Sequence, residues 1–332
     1  PEYTTATDDF AVTMALAYEV YKNSDPDFAE TCLNSAKKAW DFLEQNPNLI
    51  FKNPEDITTG DYGDVSDKDE RYWAVAQLYR ATGDSKYLSV LENMAVCKGL
   101  DWALVGDYGN IAILTMPDID KNSNIYNNAK NAVLTQADSF LKNSNNSAYG
   151  VSQTVYNWGS NMTIANSGII LALAYQLTGD AGYLNASEAQ LNYLFGTNPV
   201  GTSFFTGYGT VSPENPHHRP SMANNKAMKG MLVGGVNSHL EDSAAKAYCN
   251  GLAPALCYVD NSESYSTNEI TIYWNSPLTY LLTLTNANAN NNNNSESNLS
   301  GDGNLDGVVD ILDIITINKN ILGQRQYRDY FR

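Results

Sequence analysis

The stretch QLYRATGDSKYL at residues 77–88 decides the fold class, because a close copy of it, LAYQLTGDAGYL, lies at residues 173–184. In each copy an apolar helical pattern ends at Thr-Gly-Asp, and another helical pattern begins directly after it. The glycine can take the left-handed conformation that ends a helix, and the aspartate can cap the next helix. Two such units predict repeated antiparallel helix pairs.

The rest of the chain shows mostly the same helical periodicity, and few stretches alternate apolar and polar residues. The first predicted helix covers residues 5–22, with Phe10, Met14, Ala17 and Tyr21 on one apolar stripe. Further helices are predicted at 27–45, within 70–88, and at 129–143, 163–178, 181–195 and 269–284. We therefore expect an all-α domain of about eight or more helices, whose long loops carry the function.

The composition excludes some classes of partner. The chain of 332 residues has a net charge of −17, which disfavours nucleic acids and anionic membranes because both would repel it. Its polarity comes from Asn, Ser and Thr, beside 22 Tyr and 5 Trp. Such groups suit a neutral, hydroxyl-rich ligand such as a sugar, although ordinary core aromatics in a secreted protein are the alternative. The chain opens inside patterned sequence, so we expect its natural start to lie upstream.

The four cysteines allow one local pairing. Cys249 and Cys257 lie close together in a loop with Gly and Pro, and that spacing allows a disulfide in an oxidising compartment. Two free thiols are the alternative. Cys32 and Cys97 fall in helical patterns, and we expect buried thiols at both positions.

The composition changes after residue 285. An Asn/Ser-rich stretch at 286–300 predicts a disordered linker, and a small module follows at 301–332. This module opens with GDGNLDGVVDILD, which has the spacing of an EF-hand calcium loop, with Gly307 at the sharp turn. The predicted calcium ligands are Asp302, Asn304, Asp306, the Val308 carbonyl, Asp310 and Asp313, where Asp313 replaces the usual Glu.

The residues best suited to catalysis lie in two segments, YVDNSESYSTNEITIYWNS at 258–276 and NPHHRPS at 215–221. The first contains two carboxylates, Asp260 and Glu269, among aromatic and amide side chains. The second contributes imidazole and guanidinium groups. Carboxylates, aromatic rings and hydrogen-bond donors together are the groups needed to cleave a glycosidic bond.

The spacing Tyr258-x-Asp260-x4-Tyr265-x3-Glu269 resembles a signature of glycoside hydrolase family 9. The run from Ser203 to Arg219 is similar to a second signature of that family, as are NWGSNM at 157–162 and DYGDVSDKDERYW at 61–73. The resemblance covers roughly residues 3–284 and implies an (α/α)6 barrel, most often that of a β-1,4-endoglucanase. The SYSTNE and YNWGSN runs resemble the subgroup that carries an N-terminal immunoglobulin-like domain.

The resemblance also implies roles for individual residues. Glu269 matches the general acid, whose pKa should be raised so that it still carries a proton near the working pH. Asp260 matches the second acidic residue, which would hold or tune Glu269, with a loop-capping role as the alternative. His217 is counted with the catalytic residues, because it matches a residue that hydrogen-bonds the sugar next to the cut. The other residues expected to bind the sugar are His218, Arg219, Trp158, Tyr208 and Tyr265; a structural role is the alternative for His218, and core packing is the alternative for Trp158 and Tyr265.

The general base of this family is not visible in the sequence. Family members invert at the anomeric carbon, and an Asp pair in a YDAGD-type motif near the start of the domain activates the water. No such motif is present, and the neighbouring Asp8 and Asp9 fall in a predicted helix. We therefore expect residues 1–285 to form an incomplete (α/α)6 barrel. A cellobiohydrolase of the same family and a non-catalytic, scaffold-docked glucan-binding protein remain as alternatives.

Two further expectations concern calcium and location. The loop and helix of residues 301–332 resemble one half of a dockerin, which implies secretion, a cohesin partner on a scaffoldin and bound Ca²⁺. A second calcium site is expected where family members bind structural calcium, and a solvated acidic loop is the alternative. Its candidate ligands are Ser66, Asp67, Asp69, Glu70 and Asp107.

Overall fold

The computed structural model describes residues 3–58 and 63–291 of the chain, including the backbone alone for residues 286–291. Within these residues no named strand is present, and two isolated bridges pair Phe205 with Leu232 and His217 with Glu269. The all-α prediction is therefore confirmed. The helices are α1 (Thr4–Tyr21), α2 (Pro26–Gln45), α3 (Lys68–Thr82), α4 (Ser85–Glu92), α5 (Gly106–Leu114), α6 (Asn124–Asn146), α7 (Ser160–Thr178), α8 (Ala181–Leu194), α9 (Arg219–Ala223), α10 (Ser243–Cys249), α11 (Tyr265–Asn268) and α12 (Ile272–Asn291), with a 3₁₀ turn at Pro254–Leu256.

Both Thr-Gly-Asp turns adopt the predicted geometry. Gly83 and Gly179 are left-handed, at φ 65° and 74°, and each ends a helix. Asp84 then accepts a hydrogen bond from the Lys86 amide at 2.8 Å, and Asp180 accepts one from the Gly182 amide at 2.8 Å. The same three residue types therefore build both helix pairs, α3–α4 and α7–α8.

The chain divides into two compact units at Val133 and Leu134. In the first unit α1 packs against α2 and α3, and α3 packs against α5. The stripe predicted for α1 is not its most buried face: Phe10 is 47% exposed and Met14 is only partly buried against the core, while Ala11, Val12 and Ala15 are buried. The small side chains of this buried face allow α1 to approach its neighbours closely.

The second unit is built around α7, which packs against α8 and α12. Nearly all residues of α7 from Ser160 to Ala174 are buried. A Cβ added at Gly168 would lie 2.6 Å from the Leu281 side chain, so the absence of a side chain there lets α12 lie directly on α7. The candidate catalytic loops are all part of this unit.

Several local predictions need correction. The helix predicted at 269–284 begins instead at Ile272, because the chain is extended at Glu269. Cys97 lies in a loop and is only partly buried, whereas Cys32 is buried in α2 as expected. Cys249 and Cys257 are both buried free thiols, so the disulfide is not formed. The linker beyond Asn291 and the calcium-loop module at 301–332 lie outside the described residues.

Candidate active site

Glu269 is placed by the end of a single helical turn. It follows α11 as its C-cap residue, with an extended backbone at φ −68° and ψ 153°. Its carbonyl accepts a hydrogen bond from the Gly234 amide at 2.9 Å, which fixes the backbone on the side away from α11. Glu269 itself is half-buried. The short helix therefore presents a partly shielded carboxyl group at its end.

The surroundings of Glu269 favour a carboxyl group that keeps its proton. Burial raises the pKa of Glu269, because the charged form loses water. The charge of His217 and a hydrogen bond from the Trp158 side chain lower the pKa, but by less, so it stays above its ordinary value. This is the balance that a general acid needs.

His217 is oriented by two backbone contacts. Its amide donates to the Asn268 carbonyl at 2.8 Å, and its Nδ1 lies 2.6 Å from the Ser262 carbonyl oxygen. Because a carbonyl oxygen can only accept, Nδ1 carries the proton and Nε2 is left for other contacts. The imidazole ring also lies edge-on to Tyr265, with centroids 6.1 Å apart.

Asp260 acts on the loops rather than on Glu269 directly. Its two carboxylate oxygens accept hydrogen bonds from the amides of Glu214 and Asn215, at 2.8 and 2.9 Å, and from Nδ2 of Asn268 at 2.9 Å. These contacts join the loop before His217 to the residue before Glu269. The geometry therefore favours the loop-capping alternative for Asp260.

The sugar-binding candidates differ in exposure. Trp158 and Tyr265 are 43% and 37% exposed, and their ring centroids lie 5.2 Å apart beside Glu269. Tyr208 is 53% exposed and lies against Phe205. Exposed rings of this kind can stack on the C–H face of a sugar. Trp158 and Tyr265 are therefore not packed in the core.

The two other candidates lie at the start of α9. Arg219 is exposed at the first position of this helix. His218 precedes it, with Nδ1 2.9 Å from the Ser221 hydroxyl group. His218 thus stabilises the turn that presents Arg219, and the exposed guanidinium group can reach a ligand.

Gly234 and Gly235 form backbone hydrogen bonds with the segment that ends at Glu269. No sequence motif indicated this role. The Gly235 amide donates to the Thr267 carbonyl at 2.8 Å. Gly235 has φ 90°, and a Cβ there would clash with the side chain of Asn161. Asn161 donates to the Val233 carbonyl at 2.9 Å, and the neighbouring Ser160 hydroxyl donates to the Val236 carbonyl at 2.6 Å. The available signal was a Gly-Gly pair outside any turn pattern.

Asp8 and Asp9 do not form a pair of carboxylates. Both lie on α1 in the first unit, where Asp8 is fully buried and Asp9 is exposed. Neither oxygen of Asp8 has a hydrogen-bond partner. Two consecutive helical residues thus point into different surroundings.

The predicted calcium ligands of the first unit make separate hydrogen bonds. Asp67 pairs with Arg71 at 2.7 Å, and Asp69 accepts from the Val105 amide at 2.7 Å. Asp107 accepts from the Gly99 amide at 2.7 Å. Across residues 3–58 and 63–291 no group of three or more His, Cys, Asp or Glu side chains is arranged to hold a metal ion.

One observation nevertheless fits a cation in this place. Oε2 of Glu70 is buried and has no hydrogen-bond partner. Burial, together with the charges of Asp69, Glu70 and Asp107, raises the pKa of the Cys97 thiol to about 11, so these three carboxylates share one neighbourhood. Carboxylate oxygens are the ligands that Ca²⁺ prefers. The donor type therefore suits the ion, although these side chains are not arranged around one point in this structure, and Asp67 is already paired with Arg71.

Comparisons with known proteins identify the family of the chain. A profile described as "Glycosyl hydrolase family 9" matches residues 1–282. Endoglucanase D of Acetivibrio thermocellus is 34% identical over 331 residues, covering 97% of this chain and 50% of that protein. A cellulose 1,4-beta-cellobiosidase of the same organism is 30% identical over 371 residues, covering 97% of this chain and 41% of that protein.

A solved structure shows the same fold. A thermostable endoglucanase from Alicyclobacillus acidocaldarius superimposes with a TM-score of 0.78 at 34% identity, covering 86% of this chain and 55% of that chain. The chain thus spans about half the length of the relatives it matches. The helical pairs described above are part of an (α/α)6 barrel. On its sequence and its fold, the chain belongs to glycosyl hydrolase family 9.

Proposed function

We propose that this chain supplies the acid half of an inverting hydrolase for internal β-1,4-glucosidic bonds of cellulose and related β-glucans. The observation that carries the proposal is the half-buried carboxyl group of Glu269, which has a raised pKa, is hydrogen-bonded to Trp158 and feels the charge of His217. The endoglucanases among the relatives support the choice of substrate.

The chemistry follows from these contacts. A glucosyl ring stacked on Trp158 and Tyr265 would bring its linking oxygen to Glu269, while Arg219 and Nε2 of His217 would hydrogen-bond its hydroxyl groups. Glu269 donates its proton to the leaving oxygen as the bond to the anomeric carbon breaks. Water must attack from the other face, activated by a base roughly 6.5–9.5 Å from the acid.

We propose that this base is not among the 332 residues of the sequence, because they contain no Tyr-Asp-Ala-Gly-Asp run. The chain alone should then release no reducing ends from soluble β-glucan. Azide needs no base to attack, so it should replace the water. Attack with inversion on cellotetraose would give an α-glycosyl azide, while the proton of Glu269 goes to the leaving oxygen.

The test is to incubate the chain with cellotetraose and azide and to identify the products by NMR. We expect an α-glycosyl azide with the unmodified chain and none with Glu269→Gln. Hydrolysis by the chain without azide would overturn the proposal that the base is missing. A glycosyl azide that forms equally well with Glu269→Gln would overturn the role of Glu269.

A cellobiohydrolase is the second candidate, favoured by the similarity to a cellulose 1,4-beta-cellobiosidase. The test uses a longer protein that contains this chain. In it, the ratio of soluble to insoluble reducing ends released from swollen cellulose distinguishes a cellobiohydrolase from an endoglucanase. A third candidate is a glucan-binding, scaffold-docked protein without catalysis, favoured by the exposed rings of Trp158, Tyr208 and Tyr265. It predicts binding of cellotetraose without any azide product.

We also propose two calcium sites and an extracellular location. Glu70, Asp69 and Asp107 would hold one ion, and the loop that begins at Asp302 would hold the other. The module at 301–332 would bind a cohesin domain. The alignment with Endoglucanase D supports its presence, because it covers 97% of the chain and so extends beyond the family match at 1–282. No helix of the described residues is long and apolar enough to cross a membrane.

A further inference from the structure

Asp242 is a buried carboxylate of the second unit that the proposed reaction does not use. It is 3% exposed and precedes α10 as its N-cap residue. Its oxygens serve different helices. Oδ1 accepts the Ala245 amide at 2.6 Å, which caps α10.

The other oxygen of Asp242 binds the catalytic segment. Oδ2 accepts hydrogen bonds from the Ser264 hydroxyl at 3.0 Å, the Ser266 hydroxyl at 2.6 Å and the Ser266 amide at 2.9 Å. Ser264 is the N-cap of α11, but its own side chain does not cap that helix. Asp242 therefore caps α11 from outside, in addition to its own helix.

The residue beside Asp242 adds to this attachment. The Glu241 carbonyl accepts a hydrogen bond from the Tyr265 hydroxyl at 3.4 Å. Nδ2 of Asn237 donates to the Ser266 carbonyl at 3.1 Å and also to the Glu241 carboxylate. The start of α11 is thus hydrogen-bonded to the segment 237–242 through both the amide and the carbonyl group of Ser266.

We propose that Asp242 is a positioning residue for the general acid: by fixing the start of the four-residue helix α11, it sets the place of Glu269 at the helix end. The inference rests on the proposed function for its catalytic meaning. With so short a helix, a tilt at Ser264–Ser266 is transmitted to Glu269, and an error of about 1 Å can cost on the order of 100-fold in rate.

Asp242→Asn tests the inference, because Asn is also a favourable N-cap and would keep α10 capped. Its amide group cannot accept the three hydrogen bonds that Ser264 and Ser266 donate to Oδ2. The matched control is Asp180→Asn, the same change at the N-cap of α8, where the carboxylate accepts from Gly182 alone among the described contacts.

The measurement is the ¹⁵N–¹H resonance of the Trp158 indole group over a pH series, assigned with Trp158→Phe. This resonance should titrate with Glu269, to which the Trp158 side chain is hydrogen-bonded, and Glu269→Gln should abolish the titration. We expect Asp242→Asn to lose this pH-dependent shift, and Asp180→Asn to keep it. A role of Asp242 in α10 alone would leave the titration intact.

A folded Asp242→Asn variant with an unchanged Trp158 titration overturns the proposal. If that variant does not fold, Ser264→Ala/Ser266→Ala decides, because it removes two of the three donors and leaves Asp242 charged; an unchanged titration overturns the proposal there too. The readout needs no turnover. Loss of the titration in a chain that forms no glycosyl azide would therefore leave the positioning role standing and reject the proposed reaction.

Discussion

At the scale of single residues, the site depends on Glu269 being the residue where α11 stops. Its predecessor Asn268 is fully buried and has every side-chain group hydrogen-bonded: Nδ2 donates to Asp260 and to the Asn215 carbonyl, and Oδ1 accepts from the Tyr258 hydroxyl. One step along the chain, Glu269 is half-buried and has a raised pKa. Because every group of the Asn268 side-chain amide is hydrogen-bonded, this residue fixes the backbone. The carboxyl group of Glu269 remains available for chemistry.

The first prediction concerns the charge of His217. Removing its imidazole should raise the pKa of Glu269 further, because that ring lowers it in the native chain. In His217→Asn, whose amide can still donate to the Ser262 carbonyl, the Trp158 titration and the loss of azide product at alkaline pH should move to higher pH. The control is His239→Asn, at an exposed imidazole that lies 3.8 Å from Glu241.

That control should leave both pH profiles unchanged. A shift of the His217→Asn profile to lower pH would contradict the prediction, since it would mean that His217 raises the pKa of Glu269.

The second prediction concerns stability and pH at Asp242. Burial raises the pKa of Asp242, but its hydrogen bonds to Ala245, Ser266 and Ser264 outweigh that effect, so the pKa is lowered overall. The carboxylate therefore stabilises the fold above the ordinary carboxyl pKa of about 4, and this contribution is lost as the pH falls through the lowered value.

Denaturant titrations of Asp242→Asn should show the largest deficit near pH 7, about 1–3 kcal/mol for the charged hydrogen bonds lost. The deficit should shrink towards pH 3. A deficit that widens in acid would instead mean that the folded state raises the pKa of Asp242, contrary to the prediction.

At the scale of elements, the site lies where helices are interrupted. The non-helical segment 231–236 receives hydrogen bonds from side chains of α7 and α12: Asn161 donates to the Val233 carbonyl, and Nδ2 of Asn275 donates to the Leu232 carbonyl. On its other side, the amides of Gly234 and Gly235 donate to the carbonyls of Glu269 and Thr267. This glycine-containing segment therefore connects the buried helix α7 with Glu269.

The third prediction tests that connection. Gly235→Ala should destabilise the chain by about 3 kcal/mol or more, because its Cβ meets Asn161 and its backbone is left-handed. Gly179→Ala is the matched control: its φ is 74°, but nothing lies within 4 Å of an added Cβ. It should cost about 1–2 kcal/mol, for the backbone alone. Equal losses in chemical denaturation would contradict this explanation.

Many of the helices and turns could be predicted from the sequence, and those that could not have a physical cause. The Thr-Gly-Asp turns were predicted because their cap geometry is local in sequence. The break at Glu269 was missed because the hydrogen bond that holds it comes from Gly234, and the helical pattern of 269–284 gives no sign of that partner. Asp242 was missed for the same reason, since its contacts lie at Ser264 and Ser266.

At the scale of the whole molecule, the sequence indicated the family but misjudged one packing face. The stripe through Phe10 has correct helical spacing, yet the most buried side of α1 carries Ala11, Val12 and Ala15, and periodicity alone does not tell which face a neighbour covers. Among the candidate residues of the second unit, by contrast, His217, Trp158 and Tyr265 do lie around Glu269. Asp260 is the member whose contacts favour a different role from the one first expected.

The fourth prediction concerns the two proposed calcium sites and uses all 332 residues of the sequence. Calorimetry should count two bound ions, one for each proposed site. Glu70→Gln should remove one ion, and Asp302→Asn/Asp306→Asn should remove the other, each without affecting the remaining site. One ion in the unmodified chain, retained in Glu70→Gln, would reject the site near Glu70.

The hydrogen bonds that build the site also bear on the order of folding. The bond from Ser160 to Val236 joins positions 76 residues apart, that from Ser238 to Tyr156 spans 82, and that from Asn268 to Asn215 spans 53. The helix pairs, in contrast, close across a turn of a few residues. Since distant contacts form late in folding, far-ultraviolet ellipticity should recover before the fluorescence of Trp158. During refolding the chain would thus pass through a helical state that has its hairpins but no catalytic surface.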